Sequence, residues 1–456
     1  MECPVCGKKS EAKICPECGF DPSRDYEQYP TLTAVKKAPA VSALRKNWQK
    51  GERAEEPKKK RPWLSLIASI LILALGIGIG AGFGSGKPKP TEPQGTVQMQ
   101  EPTDTTDQTA QITYLPEEEP WRKNILQSDE PIFAQISYVF GSKYKRDLVR
   151  TVTFLDTLAD APEDAWDVSE ARDGRVLAWV TKNETFYNLY IGAEGGVSAG
   201  KSCQGLFERY RNAEYFYFNN AFHTENAESM RSMFTGCDAL EELDLSSFDT
   251  SNVQDMSYMF YSCRHLRSLD VTGFDTSNVR DMSGMFLECF CLADIDLSNF
   301  DTAQVQDMSD MFANCGDLTS LDLSNFDTSN VEKMYSMFYC CAGLTSLDLS
   351  NFNTANVWNM TKMFSCCHKL TSLDLDSFDT SNVSYMEGMF ENCYDLASLD
   401  LSSFDTSGVQ SMEGMFYKCL NLINLNLGDS FVTQDTDTTD MFYECPAAYT
   451  WRHLLK

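Results

Sequence analysis

The sequence predicts an α/β solenoid of 26-residue coils, each a short parallel strand followed by a short helix, and three observations carry that reading. First, Cys237, Cys263, Cys289, Cys315, Cys341, Cys367, Cys393, Cys419 and Cys445 recur at one fixed spacing. A period of this size marks stacked repeats, because a single unit is too small to bury its own apolar face. Second, Leu-Asp-Leu triplets such as 243–245 alternate in, out, in, as a short strand must. Third, Val253, Met256, Met259 and Phe260 stand at i, i+3, i+6 and i+7, the spacing of one helical face.

Written generally, the unit is C-x2-L-x2-L-x-L-x2-F-x4-V-x2-M-x2-M-F-x2-C. Its Asp-Thr-Ser-Asn stretch supplies turn and N-cap side chains ahead of the expected helix. Met fills irregular gaps between coils, Phe closes the corner after the strand, and Cys packs as a small buried hydrophobe. In this reading the recurrent sulfurs are architecture.

Ahead of the repeats, the chain divides by composition. Cys3, Cys6, Cys15 and Cys18 form two C-x2-C pairs in residues 1–20, each within a C-P-x-C-G turn that aims two thiolates at one point. That donor set suits structural Zn²⁺ with no open coordination position, the alternatives being two disulfides or a redox dithiol. Residues 21–62 read as a cytoplasmic linker. Residues 63–86 carry no charge and are long enough to cross a hydrocarbon core. Lys58, Lys59, Lys60 and Arg61 precede this run, so the positive-inside rule predicts a single-pass membrane protein with a cytoplasmic N-terminus and an extracellular repeat domain. Gly76, Gly80 and Gly84 make a doubled G-x3-G stripe, a candidate homodimer contact along the helix. Residues 87–131, rich in Pro, Thr, Gln and Glu, read as a disordered stalk. Residues 132–205 read as a β-rich N-terminal cap, with strands over 150–158 and a hairpin within 175–197 turning near Lys182–Glu184. Repeats fill residues 206–456, with "GLFERYRNAEYFYFNN" as a worn first coil.

The L-x2-L-x-L core is similar to the leucine-rich repeat, with Phe248, Phe274 and Phe300 where many such repeats place Asn or Cys. The whole unit, including "FDTSNVxxMxxMFxxC", closely resembles the BspA-like leucine-rich repeat surface proteins of bacteria over residues 206–445. The cysteine quartet resembles zinc ribbons found at the N-termini of many bacterial membrane proteins. The resemblance implies a membrane-anchored cell-surface protein whose repeats bind a protein or glycan partner. The alternatives are a transmembrane sensor that relays binding to the zinc ribbon and, more weakly, a cell-wall-modifying enzyme.

Charge narrows the partners. The chain carries a formal −28, and residues 87–456, with 24 Lys/Arg and 57 Asp/Glu, carry −33. Such a body opposes nucleic-acid binding, which needs positive charge to displace counterions. No enzyme is expected: His223, His265, His368 and His453 stand in no nucleophile motif, and no glycine-rich phosphate loop appears.

Asp244, Asp270, Asp296, Asp322, Asp348, Asp374 and Asp400 are expected in one outward column. This like-charge ladder is either a solvated face or a face that holds Ca²⁺ or a basic partner. A second column, Asp249, Asp275, Asp301, Asp327, Asp379 and Asp405, reads as a turn former. Tyr258, Tyr261, Tyr335, Tyr339, Trp358, Tyr385, Tyr394 and Tyr417 fall where the period demands nothing, and are candidate contact residues. Cys340 and Cys366 each precede a ladder cysteine and share one extra position on adjacent coils, a candidate disulfide with the ladder cysteines reduced.

Overall fold

The computed structural model describes residues 119–128 and 138–451. Cys3, Cys6, Cys15 and Cys18, expected to hold zinc, the expected linker, the apolar run 63–86 and its Gly76, Gly80 and Gly84 lie outside the described residues. Among the described residues no helix is long and apolar enough to cross a membrane. The expected single-pass placement, with its cytoplasmic N-terminus and extracellular repeats, is corrected accordingly and carried no further.

Residues 119–128, expected within the stalk, pack on the strands that follow instead. Leu126 is buried, Trp121 stacks on His223 at 4.5 Å, and the Asn124 amide donates to the carbonyls of Glu194 and Gly196. Apolar Leu126 and a satisfied Asn124 account for the burial of this segment.

Five strands form the first sheet, in the order β2-β3-β4-β1-β6. They are β1 (Val149–Leu155), β2 (Trp166–Asp167), β3 (Leu177–Asn183), β4 (Phe186–Gly192) and β6 (Tyr215–Tyr217), while β5 (Val197–Ser198) pairs separately with β7 (Phe222–His223). The expected hairpin is β3–β4, closing at the Asn183–Phe186 pair, with Glu184 in the left-handed region of its turn. Val152 and Phe154 of β1 point into the core, where Phe154 meets Phe207, Phe218 and Phe222. β1 pairs in parallel with β6, which belongs to the first repeat unit, so the sheet runs directly into the array. At that junction Arg146 is 2% exposed. Its guanidinium donates to the carbonyls of Gly205 and Glu208 and lies over the Tyr210 ring, so a cation caps the outer edge of the first unit.

The units stack in parallel at the expected period. Bridges join Ser229 to Asp255, Asp281, Asp307, Lys333, Asn359, Tyr385, Ser411 and Asp437 in turn. The Leu and Phe side chains at the periodic positions of the units face the core, and the Phe234–Phe260–Phe286–Phe312–Phe338 rings stack at 5.7–5.9 Å.

The α/β solenoid of strand-plus-helix coils does not form. The described part of the molecule is nearly all-β and turns, and its α-helix, Ala448–Trp451, follows the repeats. The leucine strands do not close into one continuous solenoid sheet either: they pair as β8 (Glu242–Leu243) with β9 (Ser268–Leu269), and as β10 (Ser398–Leu401) with β11 (Asn424–Leu427).

Where a helix was expected, the Met-Phe segment is a ribbon of β-turns. Met259, Tyr261 and Cys263 donate their N–H groups three residues back, to Met256, Tyr258 and Phe260. The alternate amides, of Met256, Tyr258, Phe260 and Ser262, donate instead to the next unit, at Asp281, Ser283, Met285 and Leu287. In the first and last of these three turns the third residue has positive φ, Tyr258 (58°) and Ser262 (62°), which no helix admits. Two columns of such residues run through the array, one of them Ser232, Tyr258, Gly284, Asp310, Ser336 and their successors. An i, i+3, i+4 apolar spacing suits this ribbon as well as a helix. The ribbon prevails because it bonds each unit to the next, whereas a helix would consume those amides internally.

Candidate functional site

The aspartate column forms as the alternation demands: Asp244, Asp270, Asp296, Asp322, Asp348, Asp374 and Asp400 are all exposed, between buried leucine-position residues. Each Oδ1 accepts the backbone N–H two residues on, at 2.9–3.1 Å. Hydrogen bonds from those same residues hold Asp244, Asp270, Asp296, Asp322, Asp348 and Asp400 below the usual carboxylate range. They outweigh the opposing push of neighbouring carboxylates on Asp244, Asp270 and Asp322. The ladder therefore does not relieve its repulsion by protonation at neutral pH. Among the described residues, no group of three or more His, Cys, Asp or Glu is placed to hold a metal ion.

The other columns serve the fold. Asp249, Asp275, Asp301, Asp327, Asp379 and Asp405 accept the amide two places on, closing their own turns. Beside them runs a buried threonine ladder that the sequence reading does not single out. Thr328 Oγ1 donates to the Asn353 carbonyl and accepts the Asn353 amide, both at 2.8 Å, Thr250, Thr276, Thr302 and Thr380 serve their successors likewise, and Thr354 donates to the Asp379 carbonyl. Asn252, Asn278, Asn330, Asn356 and Asn382 reach the other way, to carbonyls of the preceding unit. In Asp-Thr-Ser-Asn, Asp holds its own turn, Thr reaches forward and Asn reaches back.

The ladder cysteines do more than fill space. Cys263, Cys289, Cys315, Cys341, Cys367, Cys393 and Cys419 each aim S–H at the phenylalanine carbonyl of the preceding unit, at 3.0–3.2 Å. Burial pushes the thiols up, to about 12 for Cys263 and Cys341. These sulfurs are inert.

At the N-terminal end of the acidic column lies an open cleft of about 620 Å³, lined by Tyr215, Tyr217, Asn220, Glu242, Asp244 and Asp270 among others. Tyr215 and Tyr217 are 52% and 45% exposed and stack at 5.9 Å, while Phe216 between them is buried. The Tyr-Phe-Tyr-Phe alternation was the readable signal for this pair. Several of the aromatic residues expected as contact residues make ring contacts. They pair locally: Tyr258 with Tyr261, Trp358 with Tyr385, His368 with Tyr394, and Tyr417 with Tyr443.

Cys340 and Cys366 are free thiols, half-buried, in the second positive-φ column at 56° and 62°. His368 stands beside Cys366.

Three overlapping stretches, residues 201–289, 267–368 and 341–450, match the family described as "Mycoplasma protein of unknown function, DUF285". They span more than half of the chain, which belongs to this family. The match is consistent with the BspA-like repeat resemblance. No curated protein and no solved structure matches the chain.

Proposed function

We propose that the repeat array is a binding scaffold whose outer acidic column receives a protein partner through a basic face. The observation that carries this reading is the column itself: seven aspartates in register, exposed, six of them held below the usual carboxylate range. A ladder of fixed negative charge is unfavourable alone and becomes favourable when cations align with it. Ca²⁺ is the competing occupant of the same face. The test is retention of a lysine-rich peptide by the immobilised full-length chain. Retention that weakens as salt rises and is blocked by calcium supports the face. Absence of retention at low salt, or retention indifferent to salt, contradicts it.

A glycan partner is the second reading, favoured by the exposed Tyr215–Tyr217 stack beside the carboxylates and Asn220 of the cleft. Aromatic faces flanked by hydrogen-bonding groups suit sugar rings. Oligosaccharide binding that disappears in Tyr215→Ala and Tyr217→Ala, with lysine-peptide retention intact, would decide for it. At the N-terminus we retain structural zinc at Cys3, Cys6, Cys15 and Cys18, tested by metal analysis of the full-length chain against a Cys3→Ser, Cys6→Ser variant.

A further inference from the structure

We propose that Cys340 and Cys366 form a reactive dithiol, which a low-molecular-weight disulfide oxidises to a bridge between two adjacent units while the ladder cysteines stay reduced. The contrast with the ladder carries the argument. A ladder thiol is at most 5% exposed, and from Cys263 to Cys419 each aims its proton at a phenylalanine carbonyl, not at another sulfur. Cys340 and Cys366 are half-buried, hence open to a small reagent.

Their placement is reciprocal. The backbone N–H of Cys340 donates to Ser365 at 2.8 Å, and that of Cys366 to Glu391 at 2.7 Å, so both occupy one position on consecutive units. The Phe338 and Phe364 rings of these units are 5.7 Å apart. A disulfide accepts Cα separations of roughly 4.4–6.8 Å, so the spacing of the stack fits one without moving either unit.

The surroundings assign the roles. Cys366 is the sulfur that other groups serve: the Cys340 thiol, the His368 imidazole and the Ser365 hydroxyl all favour its thiolate and pull it below the ordinary cysteine range. Ser365 Oγ and Asn392 Nδ2 each lie 3.7 Å from that sulfur. Stacking on Tyr394 at 4.6 Å fixes the His368 ring. Cys340 is pushed up by its contact with Cys366 and by desolvation, against the opposing hydrogen bond of Tyr339, and keeps its proton. Cys366 is therefore the attacking thiolate and Cys340 the resolving thiol.

The chemistry balances. The Cys366 thiolate attacks one sulfur of R–S–S–R, forming a Cys366–S–S–R mixed disulfide and expelling R–S⁻. Cys340 gives up its proton to that thiolate and attacks the Cys366 sulfur. A Cys340–Cys366 bond forms as a second R–S⁻ leaves; this one takes its proton from water. Two thiols are oxidised and one external disulfide is reduced.

Serine stands at the equivalent position in Ser262, so serine variants suit this backbone. Full-length protein is treated with glutathione disulfide under native conditions, quenched in acid and peptide-mapped. The wild type should yield the Cys340–Cys366 bridge with ladder thiols free. Cys340→Ser should accumulate glutathione on Cys366, and Cys366→Ser should react at residue 340 at least about tenfold more slowly. Native alkylation should label Cys366 ahead of Cys340. Free thiols at both positions after oxidation, a bridge joining ladder cysteines, or glutathione trapped on Cys340 in preference to Cys366 would overturn the proposal. Should either variant fail to fold, the wild-type map alone decides.

Discussion

The inner cysteine column and the outer aspartate column obey the same period, yet their hydrogen bonds run in different directions. Cys315 donates across the stack to Phe286 of the preceding unit, whereas Asp322 accepts from Ser324 of its own turn. The first kind of bond joins units, and its loss loosens the array. The second kind leaves each unit complete and its charge facing solvent. Periodicity by itself therefore does not tell which column ties the units together; the direction of the bonds does.

The largest effect that sharpens this contrast is expected inside the core. Phe312 stacks on Phe286 at 5.7 Å and on Phe338 at 5.9 Å and is fully buried. Phe312→Ala should cost about 3–5 kcal/mol in a denaturant titration, with the damage spreading to both neighbouring units. Next comes Thr328→Val, which keeps the shape but removes a hydroxyl that both gives to and takes from Asn353. Leaving those buried backbone groups unpaired should cost about 1–3 kcal/mol, read in the same titration.

A further effect concerns pH. Burial pushes the Asp310 carboxyl up to about 7, above the roughly 3.9 of an unfolded chain. Between those values the unfolded state binds fewer protons, so Asp310 makes stability fall as pH rises from about 4 to 7 and level off above. Asp310→Asn should flatten that part of the stability–pH curve. A curve of unchanged slope would show that the carboxyl is not held neutral. Smallest of all, Asp322→Asn keeps an Oδ1 acceptor for the Ser324 amide, and its unfolding midpoint should match the parent.

Much of this was legible in the sequence. The 26-residue register, the inward leucines, the outward aspartates and the β3–β4 hairpin all follow from period and alternation. The helix did not follow, because Met256, Met259 and Phe260 fit a turn ribbon as well as a helical face. A warning stood in Gly284, Gly388 and Gly414, each in the middle of the expected helix, where glycine is unfavourable. At Gly284 a Cβ would meet the Tyr258 ring at 2.6 Å, and φ is 60°. The threonine ladder was less readable, because Ser, Thr, Asn and Asp signal turns without saying which backbone groups they reach. The pairing of His368 with Cys366 was hidden because two residues of separation says nothing of side-chain direction in a ribbon with left-handed residues.

The central claim is that the inner columns hold the array while the aspartate column faces outward for a partner. It is tested most directly by measuring lysine-peptide retention and the thermal midpoint together in the Asp296→Asn, Asp322→Asn, Asp348→Asn variant of the full-length chain. The account predicts an unchanged midpoint with retention sharply reduced. Retention equal to the parent, or a midpoint that falls in step with retention, would contradict it.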